Sequence, residues 1–135
     1  MSYKFEKLEV WQIALEYTDM LYTIGDTLPD NEKYNLRSQM VRTGTSIGIN
    51  IAEGSTSQSD AEQARFLGYA LRSLIETVAC LHLIHRRDYL DDPDMLREAY
   101  RFSEKLFAKL QAFRASLSRT REPETEYTYD ETVPF

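Results

Sequence analysis

The chain has 135 residues, 42% hydrophobic and 28% charged, ordinary proportions for one soluble globular domain. Glycine and proline number only 5 and 4, about half the usual share. That scarcity favours long helices over a hairpin-built sandwich or barrel, and the single cysteine excludes both an internal disulfide framework and a multi-cysteine zinc site.

The net charge of −6 is unevenly spread, since residues 122–135 contribute −5 and residues 1–121 only −1. A near-neutral body argues against nucleic-acid binding over the whole surface and leaves room for a local basic patch. The opening Met1 to Lys7 lacks the apolar run of a signal peptide, and the charge-free run Thr77 to His85 is too short to span a bilayer. A cytoplasmic protein without a membrane partner is the expectation.

The first helix is expected from about Phe5 to Thr27. Leu8, Trp11, Leu15, Thr18 and Tyr22 recur at helical spacing, and Val10, Ile13, Tyr17, Met20 and Ile24 form a second stripe beside them. A monomeric bundle needs one buried stripe per helix, so the second stripe predicts a contact with another copy, the alternative being one wide core-facing stripe. Leu28-Pro29 ends the segment.

The second helix is expected from about Asn31 to Ala52, with Asp30 or Asn31 as N-cap and Gly54 as a left-handed C-terminal cap. Its apolar stripe is Leu36, Met40, Gly44, Ile47 and Ile51. Gly44 and Gly48, one turn apart, suit a close helix approach, and their segment lacks the Gly-Lys-Ser/Thr ending of a phosphate loop. The third helix opens on the capping box Ser59-x-x-Glu62 and fades near Arg87. The fourth opens at Asp92-Pro93, with Asp92 as N-cap, and runs through Leu117.

Four such helices with short connections predict an all-α fold, an antiparallel up-down four-helix bundle over residues 1–121. The acidic stretch 122–135 reads as a mobile tail. Its Tyr127, Tyr129 and Phe135 are apolar anchors that could fold it back onto basic residues of the fourth helix.

A polar row lies beside the apolar stripe of the second helix. Gln39, Arg42, Ser46, Asn50 and Glu53 fall within an arc of about 80°, and Glu62, Tyr69, Ser73, Glu76 and Cys80 share one face of the third helix. Arg42 is expected to pair with a carboxylate, Glu76 first and Glu53 next.

These residues carry a resemblance. Phe5-x-x-Leu8-x-Val10-Trp11-x-x-Ala14, Leu28-Pro29 with Glu32, Tyr34 and Leu36, the block Gln39-x-x-Arg42-x-x-x-Ser46-Ile47-x-x-Asn50-Ile51-Ala52-Glu53-Gly54, and Phe66-Leu67, Ala70 and Ser73-Leu74-x-Glu76 resemble the 23S rRNA intervening-sequence (four helix bundle) proteins. The resemblance implies a homopentameric ring of up-down bundles without enzymatic activity, suspected of binding nucleic acid or protein. A looser similarity leads to the accessory variability protein of diversity-generating retroelements, which works with a reverse transcriptase and RNA. The expected function is thus a non-enzymatic macromolecule-binding adaptor needing no cofactor.

Two alternatives rest on the residues themselves. Arg97, Arg101, Lys105 and Lys109, four apart on the fourth helix, form a basic ladder for an RNA or DNA backbone. His82-x-x-His85-x-x-Asp88, near Cys80, is the only arrangement suited to a metal-dependent enzyme, and the Glu-x-x-His pairs of di-iron bundles are absent. Cys80 itself reads as a buried, inert thiol.

Overall fold

The computed structural model describes residues 1–117 and 132–135. Four helices make up the body: α1 Glu9–Thr27, α2 Leu36–Ser55, α3 Asp60–Arg86 and α4 Asp94–Ser116. Each packs on its neighbours in sequence, and α4 closes on α1, while the diagonal pairs α1/α3 and α2/α4 make no close backbone approach. Helices around 30 Å long joined by such short links must alternate in direction. The fold is the expected all-α, up-down four-helix bundle.

The core runs along the bundle axis through Tyr17, Leu21, Ile24, Met40, Ile47, Ile51, Leu67, Leu74, Leu81, Ile84, Leu96 and Leu106, all almost fully buried. At its centre the Tyr17 hydroxyl lies 2.8 Å from Thr77 Oγ1. Thr77 gives its proton to the Leu74 carbonyl at 2.6 Å, so Tyr17 donates to Thr77. This bond crosses the diagonal from α1 to α3. By length and composition α3 could cross a bilayer. Here its Leu67, Leu71, Leu74, Leu81 and Ile84 lie in the core.

The α1–α2 contact depends on missing side chains. A Cβ on Gly44 would sit 2.6 Å from Leu21 Cδ1, and one on Gly48 would sit 3.0 Å from the Trp11 ring. The expected close approach is therefore present, and it sets the rotation of α1. Val10, Ile13, Tyr17 and Ile24 turn inward and are buried, with Met20 half-buried beside them. The stripe assigned to another copy is this chain's own core. The outer row is the other one, where Trp11 and Thr18 are half-buried and Leu15 and Tyr22 are 42% and 44% exposed.

Several helix ends differ from expectation. Lys4–Lys7 form a 3-10 turn and Leu8 is extended, so α1 begins at Glu9 rather than Phe5. The break lets the Phe5 ring pack edge-on against Trp11 at 4.7 Å. Asp30–Glu32 form another 3-10 turn, and α2 starts only after Asn35, whose backbone leaves the helical region. There Asn35 Nδ2 donates to the buried Glu32 carboxylate at 3.1 Å, a local bond that competes with helix continuation.

Neither Asp30 nor Asn31 caps α2, and Gly54 is not a left-handed cap, since no described glycine has a positive φ. Gly54 lies within α2, where an added Cβ would meet Phe66 Cβ at 2.9 Å. The Ser59 cap is as expected, its hydroxyl accepting from the Glu62 amide. At the start of α4 the Asp92 carboxylate accepts from the Asp94 amide at 2.9 Å, and the helix begins one residue later than expected.

Two glycine substitutions test the packing. Gly44→Val must displace Leu21, which has no exposed surface to move into. Denaturant unfolding should show a loss of about 2 kcal/mol. Gly25→Ala brings its Cβ to 3.2 Å from the Arg37 stem, part of a partly exposed side chain, and to ordinary contact with Met40 Cε at 3.7 Å. It should be neutral or stabilising by up to about 1 kcal/mol through helix propensity.

Candidate interaction surfaces

The polar row of α2 does face α3. Ser46 Oγ lies 2.5 Å from Ser73 Oγ and donates to the Thr43 carbonyl, Asn50 Nδ2 donates to the Ser46 carbonyl, and Thr43 Oγ1 lies 3.4 Å from Glu76 Oε2. Ser46, Asn50 and Ser73 are half-buried, while Gln39, Arg42, Glu53 and Glu76 are exposed. The row is thus a polar seam at the bundle edge, half-buried where Ser46, Asn50 and Ser73 lie and open outward.

The expected Arg42–Glu76 pair is not formed. Arg42 donates to Gln39 Oε1 at 2.8 Å, a contact one turn along its own helix. Arg42 lies about 100° around α2 from Thr43, which takes the side nearer α3 and reaches Glu76 in its place.

Cys80 is buried on the same side of α3. Burial pushes its thiol pKa up and the nearby Glu76 charge adds to the rise. Burial likewise holds the Tyr17 phenol well above its usual range, outweighing the hydrogen bond to Thr77.

The basic ladder does not form one face. A step of four residues overshoots the helical turn by about 40°, so three steps wind it about 120° around α4. Arg97 is turned toward α3. Its Nη1 meets Asp94 Oδ1 at 3.1 Å and its Nε donates to the Phe135 carbonyl at 3.0 Å. Lys109 is turned toward α1, where it pairs with Glu9 at 3.2 Å. Lys105 Nζ lies 5.5 Å above the Phe102 ring, and Arg101 is exposed.

The two histidines are placed elsewhere than in a ligand cluster. Among the described residues no three His, Cys, Asp or Glu side chains converge. The rings of His82 and His85 instead flank Phe135, at centroid distances of 5.1 and 4.8 Å, and Tyr100 closes a third side at 5.5 Å. In the sequence the two histidines and the terminal aromatic stand far apart, and no spacing joins them. Tyr100 was missed, although it stands three residues after Arg97 on the flank of α4 that meets α3. Tyr127, Tyr129 and most of the acidic stretch lie outside the described residues.

The described residues form an up-down four-helix bundle with a polar α2–α3 seam. Residues 6–118 match the family model described as 23S rRNA-intervening sequence protein, and the chain belongs to that family. It is also similar to a crystal structure from Bacteroides thetaiotaomicron, a protein of unknown function from the S23 ribosomal protein family. The two share 27% identity with a TM-score of 0.70, over 78% of this chain and 94% of that one. No curated protein matches the chain.

Two substitutions separate the buried and exposed parts of this network. Tyr17→Phe removes the proton given to Thr77 and should lower unfolding free energy by about 1 kcal/mol. Arg42→Met, at an exposed site partnered only locally, should cost less than about 1 kcal/mol by the same measurement.

Proposed function

We propose that the protein is a non-enzymatic, self-associating four-helix scaffold that binds a macromolecular partner, and that it assembles as the homopentamer its family resemblance implies. The observation carrying this reading is the outer row of α1. Trp11, Leu15 and Tyr22 follow one another at helical spacing on the flank of α1 beside α2, with Leu15 and Tyr22 exposed. On the opposite corner of the bundle α3 exposes Ile75 and Leu83, at 54% and 52%. Two unlike apolar surfaces on opposite flanks suit head-to-tail contacts that close into a ring, rather than a two-fold pair.

The partner we favour is a protein. Two of the four ladder cations, Arg97 and Lys109, are already ion-paired, which leaves a weak phosphate-binding surface. A nucleic-acid-processing protein, as the looser resemblance to the accessory variability protein suggests, fits an assembly of this kind. RNA or DNA binding through Arg101 and Lys105 is the second reading. It requires retention on RNA that falls steeply with salt and is lost in Arg101→Glu/Lys105→Glu.

The test of the first reading is mass in solution. Light scattering at micromolar concentration should give a multiple of the 15.8 kDa chain. Leu15→Glu/Tyr22→Glu, both at exposed positions, should reduce it to a monomer of unchanged helicity. A wild-type mass of one chain would contradict the proposal.

A further inference from the structure

We propose that His82, His85, Arg97 and Tyr100 form a binding site for an aromatic residue of an extended peptide segment, held closed in the resting chain by its own Phe135. Three rings surround the Phe135 ring. His85 stacks on it at 24°, while His82 and Tyr100 meet it edge-on at 87° and 78°. Stacked and edge-on approaches are the two favourable arrangements for aromatic pairs, and here they occur together around one side chain. The backbone is held too, because Arg97 Nε donates to the Phe135 carbonyl at 3.0 Å. Asp94, one turn before Arg97, fixes the guanidinium from its other side at 3.1 Å.

The ligand class follows from these contacts. The cage takes a flat aromatic ring, and the arginine takes the carbonyl of the same residue. Thr132–Phe135 are without helix or strand structure, so an extended segment can present both groups. Phe135 is half-buried and packs against the core cluster from outside. Its removal therefore empties a surface site without opening the core.

The covalent link permits occupancy within one chain. From Arg97 to Leu117 α4 rises about 30 Å. The 18 residues from Leu117 to Phe135 reach up to about 60 Å when extended. Tethering then gives the chain's own segment an effective concentration on the order of millimolar, an advantage over any free competitor. Arg97, the first rung of the basic ladder, is engaged by the clasp through its Nε on the Phe135 carbonyl and by Asp94 through its Nη1.

The experiment uses the full chain, wild type and Phe135→Ala, with a fluorescent synthetic peptide of residues 126–135 as probe. The peptide should bind Phe135→Ala, and bind wild type at least about tenfold more weakly because the cage is occupied. A peptide ending in alanine should bind neither, and adding His82→Ala/His85→Ala to the Phe135→Ala chain should abolish binding. Equal affinity for the two chains, or binding that survives loss of the peptide's phenylalanine, overturns the site. Imidazole proton shifts of His82 and His85 in dilute wild type should carry the ring current of Phe135 and lose it in Phe135→Ala. If those shifts appear only at high protein concentration, the occupant comes from another copy and closure by the chain's own residue is wrong.

Discussion

The close seating of α1 on the glycine surface of α2 is the constraint on which the bundle depends. With no side chain at Gly44 or Gly48, Leu21 and Trp11 occupy the space that a Cβ would claim. Thr18 Oγ1, which donates to the Ala14 carbonyl, also lies 3.4 Å from the Gly44 carbonyl. Two glycines in a helix interior cost about 1 kcal/mol each against alanine, and the contact they allow offsets that cost. The seating fixes how α1 is rotated. Rotation then decides which of its two apolar stripes becomes core, and it places Tyr17 where its hydroxyl can reach Thr77 across the diagonal.

The opposite flank of α2 is held differently. There polar side chains cross to α3, with the Ser46 and Ser73 hydroxyls at the middle and the contact of the Thr43 hydroxyl with the Glu76 carboxylate further along. Small polar side chains let the helices approach while leaving directional groups that pair in one register only. An apolar seam tolerates sliding better than a hydrogen-bonded one. α2 thus works as a two-sided element, with shape complementarity toward α1 and polar complementarity toward α3. Both sides leave their outer edges exposed, at Leu15 and Tyr22 of α1 and at Arg42, Glu53 and Glu76 along the polar seam.

Helical periodicity and the paucity of glycine and proline made the four helices, their order and the bundle legible in the sequence. The rotation of α1 was not legible from periodicity, because both stripes, Leu8 to Tyr22 and Val10 to Ile24, are apolar at helical spacing. The signal that resolves them sits on the other helix, in Gly44 and Gly48, and only three-dimensional packing joins the two. The start of α2 was hidden by a side-chain bond between Asn35 and Glu32 that no propensity reports. The basic ladder misled for a geometric reason, since spacing by four drifts around a helix and separates Arg97 from Lys109. Arg42 was paired by charge alone, whereas geometry gave Glu76 to Thr43. The aromatic cage joins residues about 50 positions apart in sequence, His82 and His85 with Phe135, a proximity that sequence spacing does not encode.

The central claim is that α1 keeps Val10, Ile13, Tyr17 and Ile24 for its own core and offers Leu15 and Tyr22 to another copy. Thiol labelling tests it most directly, using Ile13→Cys, Leu15→Cys and Tyr22→Cys placed singly in a Cys80→Ala background. Position 13 should stay protected at every protein concentration until the chain unfolds. Positions 15 and 22 should be protected in concentrated protein and become reactive on dilution. Rapid, dilution-sensitive labelling at position 13, with concentration-independent labelling at 15 and 22, would contradict the account.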